Sequence, residues 1–173
     1  TKAYIGNFTG KSISNGFQAE LLLNIWQRFA FKTGYTYLDV FQERNQVKQA
    51  LPFNPRHKVL STISYNTLNN KFHADVNVHW YGEQGLPDTE PKPPLYRRQG
   101  YCKPYTTVNA QVTYNFKKVE VYAGCEIIFN YRQRQPIISW QDPFGPYFDT
   151  SSVWGPTRGR EGYIGVRFII PKK

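Results

Sequence analysis

Apolar and polar side chains alternate without interruption along the stretch from Tyr105 to Phe116. One face carries Val108, Ala110, Val112, Tyr114 and Phe116, and the other carries Thr107, Asn109, Gln111, Thr113 and Asn115. After Lys117 and Lys118 the alternation resumes, with Val119, Val121, Ala123, Cys125, Ile127 and Phe129 on the apolar face. A period of two is typical of a β-strand, and a short polar break between two such strands predicts an antiparallel hairpin.

The two strands of this hairpin are long. Strands of soluble proteins usually have about 5 or 6 residues, whereas these have about 11 or 12, the length that a tilted strand needs to cross a bilayer. A polar face of Gln, Asn and Glu suits a water-filled lumen, and an apolar face with aromatic residues near its ends suits lipid. From the hairpin alone, a long amphipathic hairpin on a soluble core remains an open alternative.

Five further stretches are predicted to be strands, four of them from the same alternation and residues 29–37 from their aromatic and Thr content. They are residues 17–26, 29–37, 58–66, 72–80 and 163–170. In the first of them, the run Leu21–Leu23 also fits the period of a short helix. The segment before Phe17 is rich in Gly, Ser and Asn, and we interpret it as a lead-in to the first strand.

The connections between the predicted strands alternate in length. Residues 27–28, 67–71 and 117–118 are short turns, whereas residues 38–57, 82–104 and 132–162 are long loops. A transmembrane meander with small periplasmic turns and long outer loops produces this pattern, and a soluble sandwich has no reason to place every long loop at one end. The pattern predicts an all-β, antiparallel, up-and-down transmembrane β-barrel architecture.

The number of strands indicates that more of the barrel exists. Seven strands are odd, whereas bacterial single-chain barrels have an even number. An open sheet would also leave unpaired backbone groups in lipid, which is costly. We therefore expect about seven or eight strands that form part of a larger barrel.

Composition and charge narrow the function classes. Aromatic residues make up 17% of the chain and the mean hydropathy is -0.59, which excludes a helical membrane protein but suits a barrel with one wet face. A formal net charge of +10 is compatible with binding to nucleic acid. The basic residues, however, form no stripe on one element, and most of them lie in loops, in turns or at the chain end, so we predict no nucleic-acid partner.

No catalytic or metal-binding pattern is present. Cys125 should lie opposite position 110 or 111, which leaves Cys102 more than about 20 Å away along the ladder, too far for a disulfide. His73 and His79 share a face but are about 20 Å apart, and neither cysteine has a partner at metal-ligand spacing. We predict no enzymatic activity, no metal and no resident cofactor. The acidic residues on the strands, Glu20, Asp75, Glu120 and Glu126, are predicted to face the lumen.

Five stretches, in order, resemble the C-terminal barrel portion of TonB-dependent outer-membrane receptors. They are Asn15-Gly-Phe-Gln-Ala-Glu-Leu21, Gly34-Tyr-Thr-Tyr-Leu-Asp39, Leu51-Pro-Phe-Asn-Pro-Arg-His-Lys58, Val121-Tyr-Ala-Gly-Cys-Glu-Ile-Ile-Phe-Asn130 and Gly159-Arg-Glu-Gly-Tyr-Ile-Gly-Val-Arg-Phe168. The end of the chain departs from the family pattern, because Phe168 is followed by Ile-Ile-Pro-Lys-Lys173 rather than closing on an aromatic residue.

The resemblance implies a barrel of roughly 22 strands with a plugged lumen. It also implies uptake of a scarce nutrient such as a ferric siderophore, haem or cobalamin. Residues 1–173 are then expected to be the C-terminal portion of the barrel domain, without the N-terminal plug domain through which TonB acts. Outer-membrane lipid and lipopolysaccharide are the other expected partners. A passive porin or a structural outer-membrane barrel is the main alternative, and a soluble ligand-binding β protein is the third.

The last long loop is the best candidate for a ligand-contacting segment. Its aromatic residues run from Trp140 to Trp154, and arginines flank them on both sides. Aromatic rings with guanidinium groups suit an anionic, planar ligand such as a ferric catecholate or haem. The predicted contacts are Arg132, Arg134, Trp140, Trp154, Arg158 and Arg160. In the alternative interpretation, the aromatic residues pack on one another and the arginines bind lipopolysaccharide phosphates.

Overall fold

The computed structural model describes residues 10–44, 46–168 and 170. Its strands are β1 (Lys11–Ile25), β2 (Phe29–Arg44), β3 (Val47–Ala50), β4 (His57–Asn66), β5 (Phe72–Tyr81), β6 (Gln84–Gly85), β7 (Tyr101–Cys102), β8 (Tyr105–Asn115), β9 (Val119–Glu126) and β10 (Glu161–Phe168). One turn of 3₁₀ helix covers Pro94–Tyr96. No helix in this part of the chain is long and apolar enough to cross a membrane.

Seven of the strands form an up-and-down meander in one sheet. Their order is β1-β2-β4-β5-β8-β9-β10, every neighbouring pair is antiparallel, and β3 adds to the outer part of β2. The short strands β6 and β7 form a separate ribbon inside the connection between β5 and β8. All three short turns therefore lie at one end of the sheet and the long connections lie at the other, as the loop lengths predicted.

The register keeps the two faces of the sheet separate from one edge to the other. On the apolar face, Val76 pairs with Ala110, and Val112 pairs with Ala123. On the polar face, Asp75 pairs with Gln111. Ala110 lies opposite Cys125, which confirms the predicted hairpin register, and both cysteines are free thiols. The alternation in sequence thus identified the two faces of β5, β8 and β9 correctly, since a slip of one residue would reverse them.

Aromatic side chains form two bands on the apolar face. Near the short turns, the Phe29 and Tyr65 ring centroids are 4.8 Å apart, and those of Tyr65 and Phe72 are 6.4 Å apart. Toward the long loops, Tyr35 and Trp80 occupy the corresponding positions on β2 and β5. Along β5, Phe72 and Trp80 are separated by about 27 Å. At a strand tilt near 40°, this corresponds to about 20 Å along the barrel axis. This spacing matches an apolar band flanked by two headgroup regions.

The predicted loop over residues 38–57 is wrong at its start. β2 continues to Arg44, and β1 begins at Lys11 and pairs with it as far as Glu43. β3 then folds back on β2, where Phe41 is buried and the Lys48 ammonium lies 3.5 Å from the centre of its ring. The extension was not predicted because it lacks the apolar and polar alternation, since outside lipid neither face of a strand has to be apolar. Residues 1–9, most of the predicted lead-in, lie outside the described part.

The prediction that the second hairpin strand reaches Phe129 is also wrong. β9 ends at Glu126, and Ile127 has a φ of 47°, a left-handed conformation that is rare for a β-branched residue. The Ile127 N–H donates to Asn109 Oδ1 at 2.9 Å, and the Ile128 N–H still donates to the Val108 carbonyl at 2.9 Å. The side chain of Asn109 therefore compensates for the interrupted ladder. The sequence pattern of β9 gave no sign of this contact.

Candidate ligand-binding site at the long-loop end

Two long connections pack against each other at the end of the sheet opposite the short turns. They are the segment between β5 and β8, residues 82–104, and the segment between β9 and β10, residues 127–160. Lys92 forms an ion pair with Asp149, and the rings of Tyr96 and Tyr147 stack with centroids 4.9 Å apart. The two loops therefore hold each other in place.

Gln133 fixes the backbone of the last long loop. Its side chain is buried, and its Nε2 donates to the Ser152 carbonyl at 2.8 Å. Its Oε1 accepts from the backbone N–H groups of Trp154 at 2.9 Å and Gly155 at 3.2 Å. A buried amide with these partners is satisfied and costs little, whereas its loss would leave three backbone groups without partners. Gln133 thereby holds the backbone at Trp154, whose carbonyl also accepts from Gln84 Nε2 at 3.2 Å.

The same loop has a small core of its own. Ile138 is completely buried and pairs with Asp149 through two backbone hydrogen bonds of 2.9 and 3.1 Å. Burial alone would raise the pKa of the Asp149 carboxyl, but the Lys92 ammonium and two hydrogen bonds from Ser151 outweigh it and lower the pKa to about 2. A carboxylate that stays ionised in this way anchors one loop to the other.

A row of rings begins on the polar face of the sheet and continues into the loops. His79 and Tyr81 have centroids 6.4 Å apart, and Tyr81 and Tyr105 are 4.9 Å apart. Tyr131 stacks on Tyr105 at 4.9 Å with the ring planes only 1° from parallel, and the Trp154 ring lies 5.5 Å from Tyr105. Burial, and then the nearby Cys102 thiol, raise the pKa of the Tyr131 hydroxyl. These rings provide an uncharged aromatic surface at the long-loop end of the sheet.

A cavity of about 240 Å³ lies beside this row, between the two loops. Its lining combines guanidinium groups, amides, a thiol and rings: Leu86, Pro87, Arg98, Gln99, Tyr101, Cys102, Gln133, Arg134, Gln135, Ser152 and Trp154. Within the described part of the chain, neither Arg98 nor Arg134 forms an ion pair with a carboxylate. A larger, more open depression of about 910 Å³ adjoins it along residues 130–136 and Thr157.

This arrangement suits an anion that has flat rings. Two guanidinium groups without acidic partners can form charge-assisted hydrogen bonds, and aromatic side chains can stack on planar groups. No group of three or more His, Cys, Asp or Glu side chains that could hold a metal ion occurs among the described residues. The site therefore suits recognition of a ligand through its charge and shape.

The structure brings together three of the six residues predicted as ligand contacts. Arg134 and Trp154 line the smaller cavity, and Arg132 and Arg134 line the open depression. The other predicted contacts lie elsewhere: Trp140 is exposed, Arg158 is 81% exposed and 3.5 Å from Glu161, and Arg160 donates from Nε to the Ile128 carbonyl at 2.7 Å.

Several residues of the site were not predicted. Arg98 and Tyr101 belong to a loop more than thirty positions away from Arg134 in sequence. The proximity of Arg98 to an aromatic residue was the available signal, but nothing in the sequence paired the two loops. The buried role of Gln133 was not predicted either, since a single glutamine between two arginines is typical of an exposed loop.

The chain matches a family model described as TonB dependent receptor-like, beta-barrel, over residues 2–126. No curated protein sequence matches it significantly.

Solved outer-membrane receptor structures are similar to the sheet and its loops. The ferric enterobactin receptor of Pseudomonas aeruginosa, solved in complex with enterobactin, aligns with a TM-score of 0.65 and 18% identity over 90% of this chain and 22% of its own. The ferric-catecholate import receptor Fiu of E. coli K12 aligns with a TM-score of 0.64 and 13% identity over 91% of this chain and 21% of its own. The ferripyoverdine receptor of the P. aeruginosa outer membrane, bound to ferripyoverdine, aligns with a TM-score of 0.61 and 17% identity over 92% of this chain and 20% of its own. At these identities the likeness establishes the fold, and the chain spans about a fifth of the length of each receptor.

Proposed function

Because the chain belongs to the TonB-dependent receptor β-barrel family, we propose that it forms part of the wall and mouth of an outer-membrane receptor that imports a ferric siderophore. The observation that carries the proposal is the mouth cluster of Arg98, Arg134 and Trp154 beside the stacked tyrosines. The names of the similar structures support the ligand class, since they describe receptors for ferric enterobactin, ferric catecholates and ferripyoverdine. Haem and cobalamin remain the other members of the predicted ligand class.

The proposed role of the cluster follows from its chemistry. A ferric catecholate is anionic and presents flat aromatic rings, so it can accept hydrogen bonds from Arg98 and Arg134 while a ring stacks on Trp154. Arg132 lines the adjoining depression, where it can attract the same anion. Trp140, Arg158 and Arg160 stay predicted contacts that a larger ligand would have to reach. Lipopolysaccharide phosphates are the competing anions.

Energised transport is proposed to depend on parts of the receptor beyond these strands. TonB would act through a plug domain inside the barrel, with the polar face of the sheet lining the lumen. A passive porin is less favoured, because the family match points to a receptor.

The ligand class can be tested by calorimetry on the intact receptor that contains this chain. Ferric enterobactin, ferripyoverdine, haem and cyanocobalamin would be titrated separately. We expect one ferric siderophore to bind, and replacement of Arg98 and Arg134 by Gln to weaken it by tenfold or more, since each charged hydrogen bond is worth about 1.5 to 3 kcal/mol.

A matched double variant with Arg97 and Lys103 replaced by Gln removes the same charge, from exposed positions of one of the two loops. It should change the affinity by less than about threefold, because exposed charges act weakly and are screened. Binding of haem or cobalamin alone would reject the siderophore assignment. Equal losses in the two double variants would reject the mouth cluster as the contact site.

A further inference from the structure

The short-turn end of the sheet carries an unpaired positive charge on each of its turns. We call residues 26–28, 67–71 and 116–118 the short-turn rim. The rim includes Arg28, Lys71, Lys117 and Lys118 and has no Asp or Glu. All four cationic residues are exposed, and none of them forms an ion pair within the described part of the chain. The rim therefore carries cations without acidic partners beside the aromatic band of Phe29, Tyr65 and Phe72.

Backbone hydrogen bonds hold the turns of the rim at fixed spacing. The Asn66 N–H donates to the Arg28 carbonyl at 2.8 Å, and the Asn115 N–H donates to the Lys71 carbonyl at 2.7 Å. Asn115 Nδ2 also donates to the Asn70 carbonyl at 3.2 Å. Neighbouring hairpins are about 10 Å apart, since each contains two strands spaced about 4.8 Å. The turns that carry the cations are therefore held about 10 Å apart along the sheet.

An apolar depression adjoins the first of these cations. It has a volume of about 510 Å³ and is lined by Trp26, Gln27, Arg28, Phe29 and Leu68. Trp26 is 83% exposed and Leu68 is 61% exposed, although both are large apolar side chains. Phe29 belongs to the aromatic band near the short turns, on the apolar face. The depression therefore places a guanidinium next to an open apolar surface that continues into the lipid-facing side.

We propose that the short-turn rim is a binding site for an anionic phospholipid of the periplasmic leaflet. Short turns of such barrels lie on the periplasmic side, so the rim meets the headgroups of that leaflet. The Arg28 guanidinium binds the phosphate with two hydrogen bonds, Lys71 adds charge from the next turn, and the acyl chains lie against Trp26, Phe29 and Leu68. The proposal rests on the orientation of the barrel and not on the transported ligand.

Native mass spectrometry on the intact receptor, released from nanodiscs of equal phosphatidylglycerol and phosphatidylcholine, tests the site. We expect the receptor to retain phosphatidylglycerol preferentially. Arg28→Gln should lower its apparent affinity about fivefold, and replacement of all four rim cations by Gln should lower it more than about tenfold. A control variant with Lys11, Lys48, Arg97 and Lys103 replaced by Gln removes equal charge at the opposite end and should keep the preference.

A second arm separates a lipid site from a simple phosphate site. Trp26→Ala and Leu68→Ala leave the charge unchanged and should each reduce phosphatidylglycerol retention by about threefold or more, while inorganic phosphate at millimolar concentration should compete poorly. Heat-dependent electrophoretic mobility confirms that each variant barrel is folded. Retention that is unchanged in the four-residue rim variant, or lost equally in the control variant, overturns the proposal. Full competition by inorganic phosphate with no effect of Trp26→Ala overturns the lipid assignment.

Discussion

The two ends of the sheet are built in different ways. At the short-turn rim the chain reverses within a few residues, and its large side chains are exposed, as at Trp26 and Leu68. At the long-loop end two distant segments pack together around Ile138 and Gln133, both of which are buried. The acidic residues follow the same division, since Asp142 and Asp149 lie in the loops and the rim has none.

The difference shows which forces order each end. The rim needs no core of its own, because strand pairing and backbone hydrogen bonds from neighbouring strands position its turns. Strand pairing positions only part of the long loops, as in the β6–β7 ribbon, so the rest depends on buried side chains and on the Lys92–Asp149 ion pair. An end ordered by side-chain packing can form a shaped cavity, whereas an end ordered by turns presents a repeating surface.

The largest expected effect comes from removing the core of the long loop. Ile138→Ala should destabilise the packed loop structure by about 2 to 5 kcal/mol, because it deletes a completely buried side chain and leaves a cavity. Hydrogen exchange of the intact receptor should show faster exchange across residues 133–155. The matched variant at the other end, Leu68→Ala, removes an exposed side chain and should change exchange of its turn very little. Equal effects would show that the two ends do not differ in this way.

Between the two ends, an arginine should cost more unfolding free energy on the apolar face of the sheet than on the polar face. Ala123→Arg places a charge on the lipid face near the middle of the bilayer and should cost about 2 to 4 kcal/mol. Gln111→Arg, on the polar face, should cost only about 1 kcal/mol, chiefly through loss of the 2.9 Å hydrogen bond that Gln111 Oε1 accepts from the Tyr163 hydroxyl. Equilibrium unfolding of the intact receptor in lipid bilayers measures both. Equal costs would contradict the assigned faces.

The smallest expected effect is a pH dependence confined to the long-loop end. The Asp149 pKa is about 2 in the folded protein and 3.8 for the free group, so its stabilising contribution is complete above about pH 4 and is lost as the pH falls toward 2. The loss should be about 1 kcal/mol, since the pair is partly solvated. Pepsin cleavage of the loop should accelerate over this range.

Asp149→Asn is the control for this pH effect, because it removes the titrating group. In that variant, pepsin should cleave the loop faster at pH 4, and the added acceleration between pH 4 and 2 should disappear. The short-turn rim has no carboxylate and should show no matching change. An acceleration of the same size in the variant would assign the pH dependence to another carboxylate.

The sequence by itself determined the seven strands of the meander, apart from some of their ends, and the order of short and long connections. The membrane makes these features predictable, because residues facing lipid are mostly apolar whereas residues facing water are free to be polar, as at Val112 and Gln111. The positions of the short turns followed from the same alternation. Even the register of Ala110 against Cys125 could be deduced from the turn at Lys117 and Lys118.

The tertiary structure alone decided the outer part of the molecule. Outside lipid the alternation carries no requirement, so the extension of β2 to Arg44 was not visible in the sequence. At Ile127 the chain leaves the strand, and its N–H donates to Asn109, which lies on another strand. The mouth cavity required Arg98 and Arg134 to meet across two loops, and that meeting depends on contacts such as Lys92 with Asp149 that no local pattern encodes. The periodicity of a strand indicates which of its faces contacts lipid and which contacts water. The pairing of loops depends instead on contacts between residues far apart in the chain.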